Sequence, residues 1–221
     1  MNATLSADIV RSTSLRTEDL IDLRKKLLGF FDDLGEDYPG FWGRIVRGDS
    51  IECFIPDCQS ALRIAILIKL FIKKQIVHYE CSELLQRIGI RFSVGIGEIR
   101  YVDRTEDIID GPAIYISGRN LDAISRENDT YSAIEVDEAT RAANCFLDSY
   151  VAMISGIVDA YSSKQAEVVF YKLLGFKERE IGERLGILQS SVNMRAASAK
   201  WGLLNTAIKD FENLNIEKLC G

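Results

Sequence analysis

Two aspartates with their neighbours form the most chemically suggestive pattern in the chain. Asp8 lies in the stretch SADIVRST (Ser6 to Thr13), and Asp49 lies in RGDSIECF (Arg47 to Phe54). Each adjoins a short run of β-branched and apolar residues of the kind that builds strands. The spacing places Asp8 at the end of a first strand and Asp49 at a tight turn opened by Gly48. Two carboxylates at the tips of neighbouring strands suit a hard divalent cation, which takes oxygen ligands. The backbone of Ile9, Val10, Ser12 and Thr13, with Gly48 across the turn, offers N–H groups and a helix start where phosphate settles readily. The same residues also read as ordinary turn and cap positions, which Asp supplies routinely.

A second stretch with functional content is EREIGERLGILQSSVNMRAASAKW, Glu178 to Trp201. Ile181 and Leu185 face inward, Gly182 lets two helices cross, Gly186 permits a tight turn, and Val192 anchors the second helix, the pattern of a helix-turn-helix. In that motif the second helix enters the major groove and its N-terminal residues reach base edges. Gln189, Ser190, Ser191, Asn193, Met194 and Arg195 are the candidates, with Lys200, Lys177 and Arg179 on phosphates. From Ser162 to Asn205 there are seven basic residues against four acidic ones, within a chain of net charge −6. That asymmetry favours polyanion contact at this end. The competing reading is a helical hairpin used for dimerisation.

The elements that must position these residues follow from periodicity. Thr17, with Asp19 and Asp22, opens a helix whose apolar face is Leu20, Leu23, Leu27, Leu28, Phe31 and Leu34, up to Gly35. Phe41 to Val46 and Ser50 to Ile55 are two strands of a hairpin with Asp49 at its tip. Pro56 and Asp57 start a helix, with Ala61, Ile64, Ala65, Ile68 and Phe71 inward, that continues towards His78, a residue given no role. Ile88 to Ile99 alternates as a strand, and its Gly95 and Gly97 mark either close approach of a ligand or another backbone, or else a bulge or close sheet packing. Asp110-Gly111-Pro112 turns into a helix from Ala113 to Ser125. Tyr131 to Val136 is a strand, and Asp137 caps a helix through Arg141. The order is α+β of the ferredoxin-like kind. Helices dominate from about Tyr161: one capped by Ser162 or Ser163 and ended by Gly175, then Glu178 to Leu185. A third, capped by Ser190 or Ser191, runs through Leu203, and a last one from Asn205 to Leu214. The expected domains are 1–158 and 159–221, the second small and all-α.

Composition sets the class. The chain has 221 residues, 47% hydrophobic and 27% charged, enough for a sizeable core. Its acidic balance excludes a uniformly basic nucleic-acid binder. Five cysteines (Cys53, Cys58, Cys81, Cys145, Cys220) and one histidine form no zinc pattern and read as reduced. With no signal peptide and no apolar run long enough to span a bilayer, a soluble cytoplasmic protein with no membrane partner is expected.

SADIVRST, RGDSIECF, IRFSVGIGEI and DGPAIYISGRNLDAI, in that order, resemble the motifs of class III nucleotidyl cyclase domains. Joined to SSKQAEVVFYKLLGFKEREIGERLGI, the whole is similar to the SatD family of small bacterial proteins. The cyclase resemblance implies that Asp8 and Asp49 are metal ligands for Mg²⁺ or Mn²⁺. It also implies that Arg119 is the catalytic arginine supplied across a homodimer interface. The chain departs from the cyclase pattern where Tyr115 takes the asparagine position and where no lysine precedes Gly48-Asp49. The expectation is a homodimeric, DNA-binding transcriptional regulator whose cyclase-like domain no longer cyclises but senses a nucleotide or metal or serves dimerisation. The alternatives are an active metal-dependent cyclase or other phosphoryl-transfer enzyme, and a protein-interaction scaffold.

Overall fold

The computed structural model describes residues 1–75, 88–124, 133–135 and 141–216. The first strand, β1 (Asn2–Val10), leads through a single 3₁₀ turn into helix α1 (Thr17–Asp37). The hairpin β2 (Trp42–Arg47) and β3 (Ser50–Ile55) follows, then α2 (Ala61–Gln75) and β4 (Gly89–Gly97). These strands lie in the order β2-β3-β1-β4, every neighbouring pair antiparallel. The β-α-β-β-α-β order makes this unit ferredoxin-like. A short β7 (Ala133–Glu135) extends the sheet, pairing parallel with β4. Between them come the hairpin β5 (Tyr101–Asp103) and β6 (Ile108–Asp110) and the helix α3 (Pro112–Ala123). Among the described residues five helices follow: α4 (Arg141–Asp159), α5 (Ser163–Leu173), α6 (Glu178–Leu185), α7 (Gln189–Ser198) and α8 (Trp201–Glu212). No helix among the described residues is long and apolar enough to cross a membrane.

Strand alternation divides the sheet into two unlike faces. Ala3, Leu5, Ala7 and Ile9 of β1 join Ile51, Cys53 and Ile55 of β3 and Phe92, Val94 and Ile96 of β4 in the core with α1 and α2. The opposite face is polar: Thr4, Ser6 and Asp8, then Ser50 and Glu52, then Arg91 and Ser93. Helix α3 covers part of it. The Ser117 hydroxyl lies 3.0 Å from that of Thr4 and 2.9 Å from that of Ser6, and Asn120 Nδ2 donates to Ser93 Oγ at 3.2 Å. Gly95 permits this approach, since a Cβ there would lie 2.1 Å from the Ala113 carbonyl oxygen. Of the two readings of Gly95, close backbone approach is the observed one. A Cβ at Gly97 would meet only ordinary contacts at 3.8–3.9 Å.

The apolar core continues from the sheet into the C-terminal helices without a break near residue 158. Phe30 of α1 stacks on Phe71 of α2 with centroids 4.4 Å apart, and Phe170 of α5 tilts against both, at 5.4 and 5.9 Å. Arg63 of α2 grips Glu212 of α8 with two hydrogen bonds and donates to the Leu173 carbonyl at 3.1 Å. Tyr150 of α4 donates to the Ala207 carbonyl of α8 at 2.6 Å. Among the described residues α6 and α7 pack with Val168 of α5 on a smaller, separate cluster, Val168, Ile181, Val192 and Ala196.

Several expectations change in detail. The α1 face buries Phe30 while Leu28 is 44% exposed. The hairpin β5–β6 and most of α4 were not expected, and α3 ends at Ala123. Ser190 and Ser191 lie inside α7, whose cap residue is Leu188. The helix expected through Leu203 stops at Ser198, because Lys200 takes a left-handed φ of 52° that no continuous helix accepts. The last helix therefore begins at Trp201. Cys53 and Cys58 are buried and Cys145 is exposed, none of the three in a disulfide. His78, Cys81, Cys220 and the Asp137 cap lie outside the described residues.

Two measurements probe this packing. Gly95→Ala forces α3 off the sheet and should cost roughly 2–4 kcal/mol in urea unfolding, whereas Gly97→Ala should change stability by less than about 1 kcal/mol. Lys74 lies 3.8 Å over the Phe170 ring, and burial pushes its ammonium down to about 8. Below pH 8 the lysine is charged in folded and unfolded chains alike, so the burial penalty is at its full value. As pH rises from 8 towards 10.5 the folded chain loses the proton first, and the penalty is relieved. Urea melts on either side of pH 8 should show a stability gain in that window that Lys74→Met lacks.

Candidate functional site

The β1–β3 register sets Asp8 opposite Ser50, and the Ile9 amide donates to the Asp49 carbonyl at 3.2 Å. The two aspartates therefore do meet at one end of the sheet. Each carboxylate already has protein donors. Ser50 Oγ donates to Asp8 Oδ1 at 2.9 Å, and Arg91 Nη2 of β4 donates to Asp8 Oδ2 at 3.2 Å. Ser12 Oγ, buried in the 3₁₀ turn, donates to Asp49 Oδ2 at 2.5 Å. Arg24 of α1 reaches across to the Gly48 carbonyl at 2.6 Å. The hydroxyls and the two guanidinium groups hold the tips of β1, β3 and β4 and the second turn of α1 together.

The phosphate cradle expected after Asp8 is largely committed to the fold. The Ile9 amide serves the hairpin, and Ile9 and Val10 pair in register with Ile90 and Gly89 of β4. Ser12 is spent on Asp49, which leaves Thr13 exposed in the turn and Gly48 exposed at the hairpin tip. Arg119 lies elsewhere, on the exposed outer side of α3, its Nε donating to the Tyr115 carbonyl at 3.2 Å. It borders a shallow depression with Ile114, Tyr115, Gly118 and Asp122. The Tyr115 hydroxyl donates to Asp110 Oδ1.

The donor set does not fit a resident divalent cation. Among the described residues no group of three or more His, Cys, Asp or Glu could hold a metal ion. The Arg91 guanidinium stands against Asp8, where a dication would need the same lone pairs. Arg91, Ser50 and Arg24 were not named from the sequence, because Arg91 falls on a polar position of the alternating run IGIRFSV, where an outward-facing residue is ordinary. Its partner becomes visible only once β4 is set antiparallel to β1, which puts Arg91 opposite Asp8.

In the C-terminal stretch, Gly186 ends α6 in a left-handed conformation (φ 64°) and a Cβ on Gly182 would lie 2.8 Å from the Ile187 carbonyl oxygen. The two glycines thus set α7 tightly across α6. Gln189, Ser190, Asn193 and Met194 are exposed along α7, Ser191 and Arg195 are half-buried, and Lys200 is exposed just beyond its end. Arg179 pairs with Glu183 at 2.9 Å and Lys172 with Glu178 at 2.9 Å.

No family model matches the chain, and no curated protein matches it. Among solved structures the chain is similar to nucleotidyl cyclase domains at low identity. Two structures of a bacterial light-regulated adenylyl cyclase align at 16% identity and TM-score 0.45 over 60% of this chain. The guanylyl cyclase Cya2 aligns at 16% identity and TM-score 0.40, again over 60% of this chain and over 73% of its own. The aligned part spans only 41–42% of the light-regulated enzyme.

If Arg91 is the counter-charge of Asp8, millimolar Mn²⁺ should leave the melting temperature of the native chain unchanged. Arg91→Met should gain a Mn²⁺-dependent rise that the double variant with Asp49→Asn lacks. A Mn²⁺-dependent rise in the native chain would show instead that the ion displaces the guanidinium.

Proposed function

We propose that the protein is a DNA-binding transcriptional regulator that acts as a homodimer, with α6 and α7 as a helix-turn-helix and the sheet domain as its dimerising body. The observation that carries this reading is the exposed polar edge of α7. Gln189, Ser190, Asn193 and Met194 lie on its N-terminal half, while Val192 and Ala196 fix its other side on α5 and α6. Side chains at the N-terminal half of a second helix are those that reach base edges in the major groove. Asn and Gln suit adenine, and Arg suits guanine. Lys177 and Lys200 flank this edge as exposed cations for phosphate. A two-fold pair would set two such helices about 34 Å apart, one turn of duplex. The motif order shared with the SatD family agrees with this reading, and under it residues 159–221 are the DNA-binding part.

A second reading draws on the meeting of Asp8 and Asp49: a metal-dependent nucleotidyl cyclase or other phosphoryl-transfer site that takes Mg²⁺ or Mn²⁺ and borrows Arg119 from a partner subunit. The Arg91–Asp8 pair weighs against it. A nucleotide bound without turnover remains compatible with the regulator.

Selection from a random duplex library followed by anisotropy titration tests the proposal. Binding should weaken steeply as salt rises, because phosphate contacts release counterions. Asn193→Ala should cost about 1–3 kcal/mol on the selected site only, whereas Lys177→Ala should weaken all duplexes alike. Absence of duplex binding at low salt would sink the regulator and leave a protein-interaction scaffold. Turnover of a nucleoside triphosphate, lost in Asp49→Ala, would restore the enzyme.

A further inference from the structure

Helix α4 carries two apolar faces, and the chain itself uses one of them. Leu147, Val151, Ile154 and Val158 recur at spacings of four, three and four, and each is at most 4% exposed in the core. A second seam of the same period runs along the outside: Phe146, Tyr150, Met153, Ile157 and Ala160. Phe146 is 65% and Met153 66% exposed, Ala160 is exposed just past the helix end, and Tyr150 and Ile157 are half-buried. An apolar repeat that alternates four and three residues is the seam along which one helix packs on another.

The composition of this seam says which helix fits it. Charge is absent: its exposed neighbours are Cys145, Ser149 and Gly156, while Asp148 and Asp159 are half-buried away from it. A partner chosen by flanking charges finds none to pair with here. The N-terminal end is bulky and fixed, since the Tyr150 hydroxyl is spent on the Ala207 carbonyl and its ring stacks on Phe146 at 6.1 Å. The C-terminal end is a hollow. Gly156 stands inside the helix, where glycine is costly relative to alanine, yet a Cβ there would have nothing within 4 Å. The packing of the single chain gives no reason for this glycine. Close approach of a second helix supplies one.

We propose that α4 is the two-fold interface of a homodimer, packed antiparallel on α4 of a second copy with the axis at Met153. Antiparallel copies centred there set Phe146 opposite Ala160, Tyr150 opposite Gly156, and Met153 opposite its own copy. The aromatic end of each helix fills the small end of the other, so the surface is complementary to itself, as an isologous contact must be. A parallel pair would set Phe146 on Phe146 and leave the two hollows facing each other. Phe, Tyr and Met are also the side chains that interface cores favour. The inference rests on the homodimer of the proposed function, whose surface it names, and not on DNA binding.

Sedimentation equilibrium of the full chain over a concentration series measures the self-association. The native chain should dimerise. Met153→Glu opposes two carboxylates on the axis and should weaken the dimer about tenfold or more, whereas Ile21→Glu, at a 62% exposed position of α1, should not. Gly156→Leu raises helix propensity and has room in the single chain. It should keep the far-UV spectrum yet weaken the dimer about tenfold, because the leucine meets Tyr150 of the second copy. Direction is read with a short bis-maleimide in a Cys81→Ser, Cys220→Ser background. Antiparallel copies hold their Cys145 residues about 24 Å apart along the axis, so Cys145 should not cross-link, whereas Cys145→Ser with Met153→Cys should. A native chain that stays monomeric overturns the inference together with the homodimer above. A dimer that survives either Met153→Glu or Gly156→Leu, or one that cross-links through Cys145 or fails to through Met153→Cys, overturns the α4 interface and leaves the homodimer standing.

Discussion

An ammonium with no access to water has to be satisfied by fixed partners, and the middle of this molecule is built around one. Lys69 of α2 is fully buried. Its Nζ donates to the Ile90 carbonyl of β4 at 2.8 Å and pairs with Asp159 of α4 at 2.9 Å. Lys73, one turn on, donates to the Asp159 carbonyl at 2.8 Å. Burial pushes Lys69 below the usual lysine range and Asp159 above the usual carboxylate range, and each holds the other back towards the charged form. Removing one member of such a pair leaves a buried charge uncompensated, which is strongly destabilising. The end of α4, the middle of α2 and the start of β4 therefore keep one arrangement. The C-terminal helices are placed by α2 in turn, through Phe71 against Phe170 and Arg63 against Glu212.

The sheet shows the same economy of charge. Its inner face is apolar and its outer face carries hydroxyls, carboxylates and guanidinium groups that satisfy one another: Thr4 and Ser6 with Ser117, Glu52 with Arg44, and Asp8 with Ser50 and Arg91. A pair of aspartates at strand tips looks like a vacancy for a cation when read along the chain. In the folded protein the cation is an arginine from the neighbouring strand. The polar face thus has the shape of a site while its charges are spent internally.

The exposed end of the molecule is assembled differently. Helix α7 buries little of itself, and what holds it is a short α6, two glycines at the crossing and an aromatic platform on α5. Arg184 lies 5.3 Å from the Tyr171 ring and 4.9 Å from that of Phe176, which meet edge to face at 5.7 Å. This contact fixes the α6 side of the turn from beneath and leaves Gln189, Ser190, Asn193 and Met194 of α7 exposed.

Much of this was legible in the chain itself. Strand alternation, the apolar stripes of α1 and α2, and turn chemistry are local, so they appear in spacing. The Gly186 turn matches its sequence signal, and Ser162 caps α5 in a capping box with Gln165. What spacing could not carry is which strand lies beside which. That register sets Arg91 opposite Asp8 and turns a candidate metal site into an ion pair. Nor could it carry the reason for Gly95, which lies in the backbone of a helix eighteen residues further on, or the left-handed turn at Lys200 that cuts one expected helix into two. Local preference chooses the elements because each residue votes with its own backbone and neighbours. Pairing belongs to residues far apart in sequence, and only the packed core decides it.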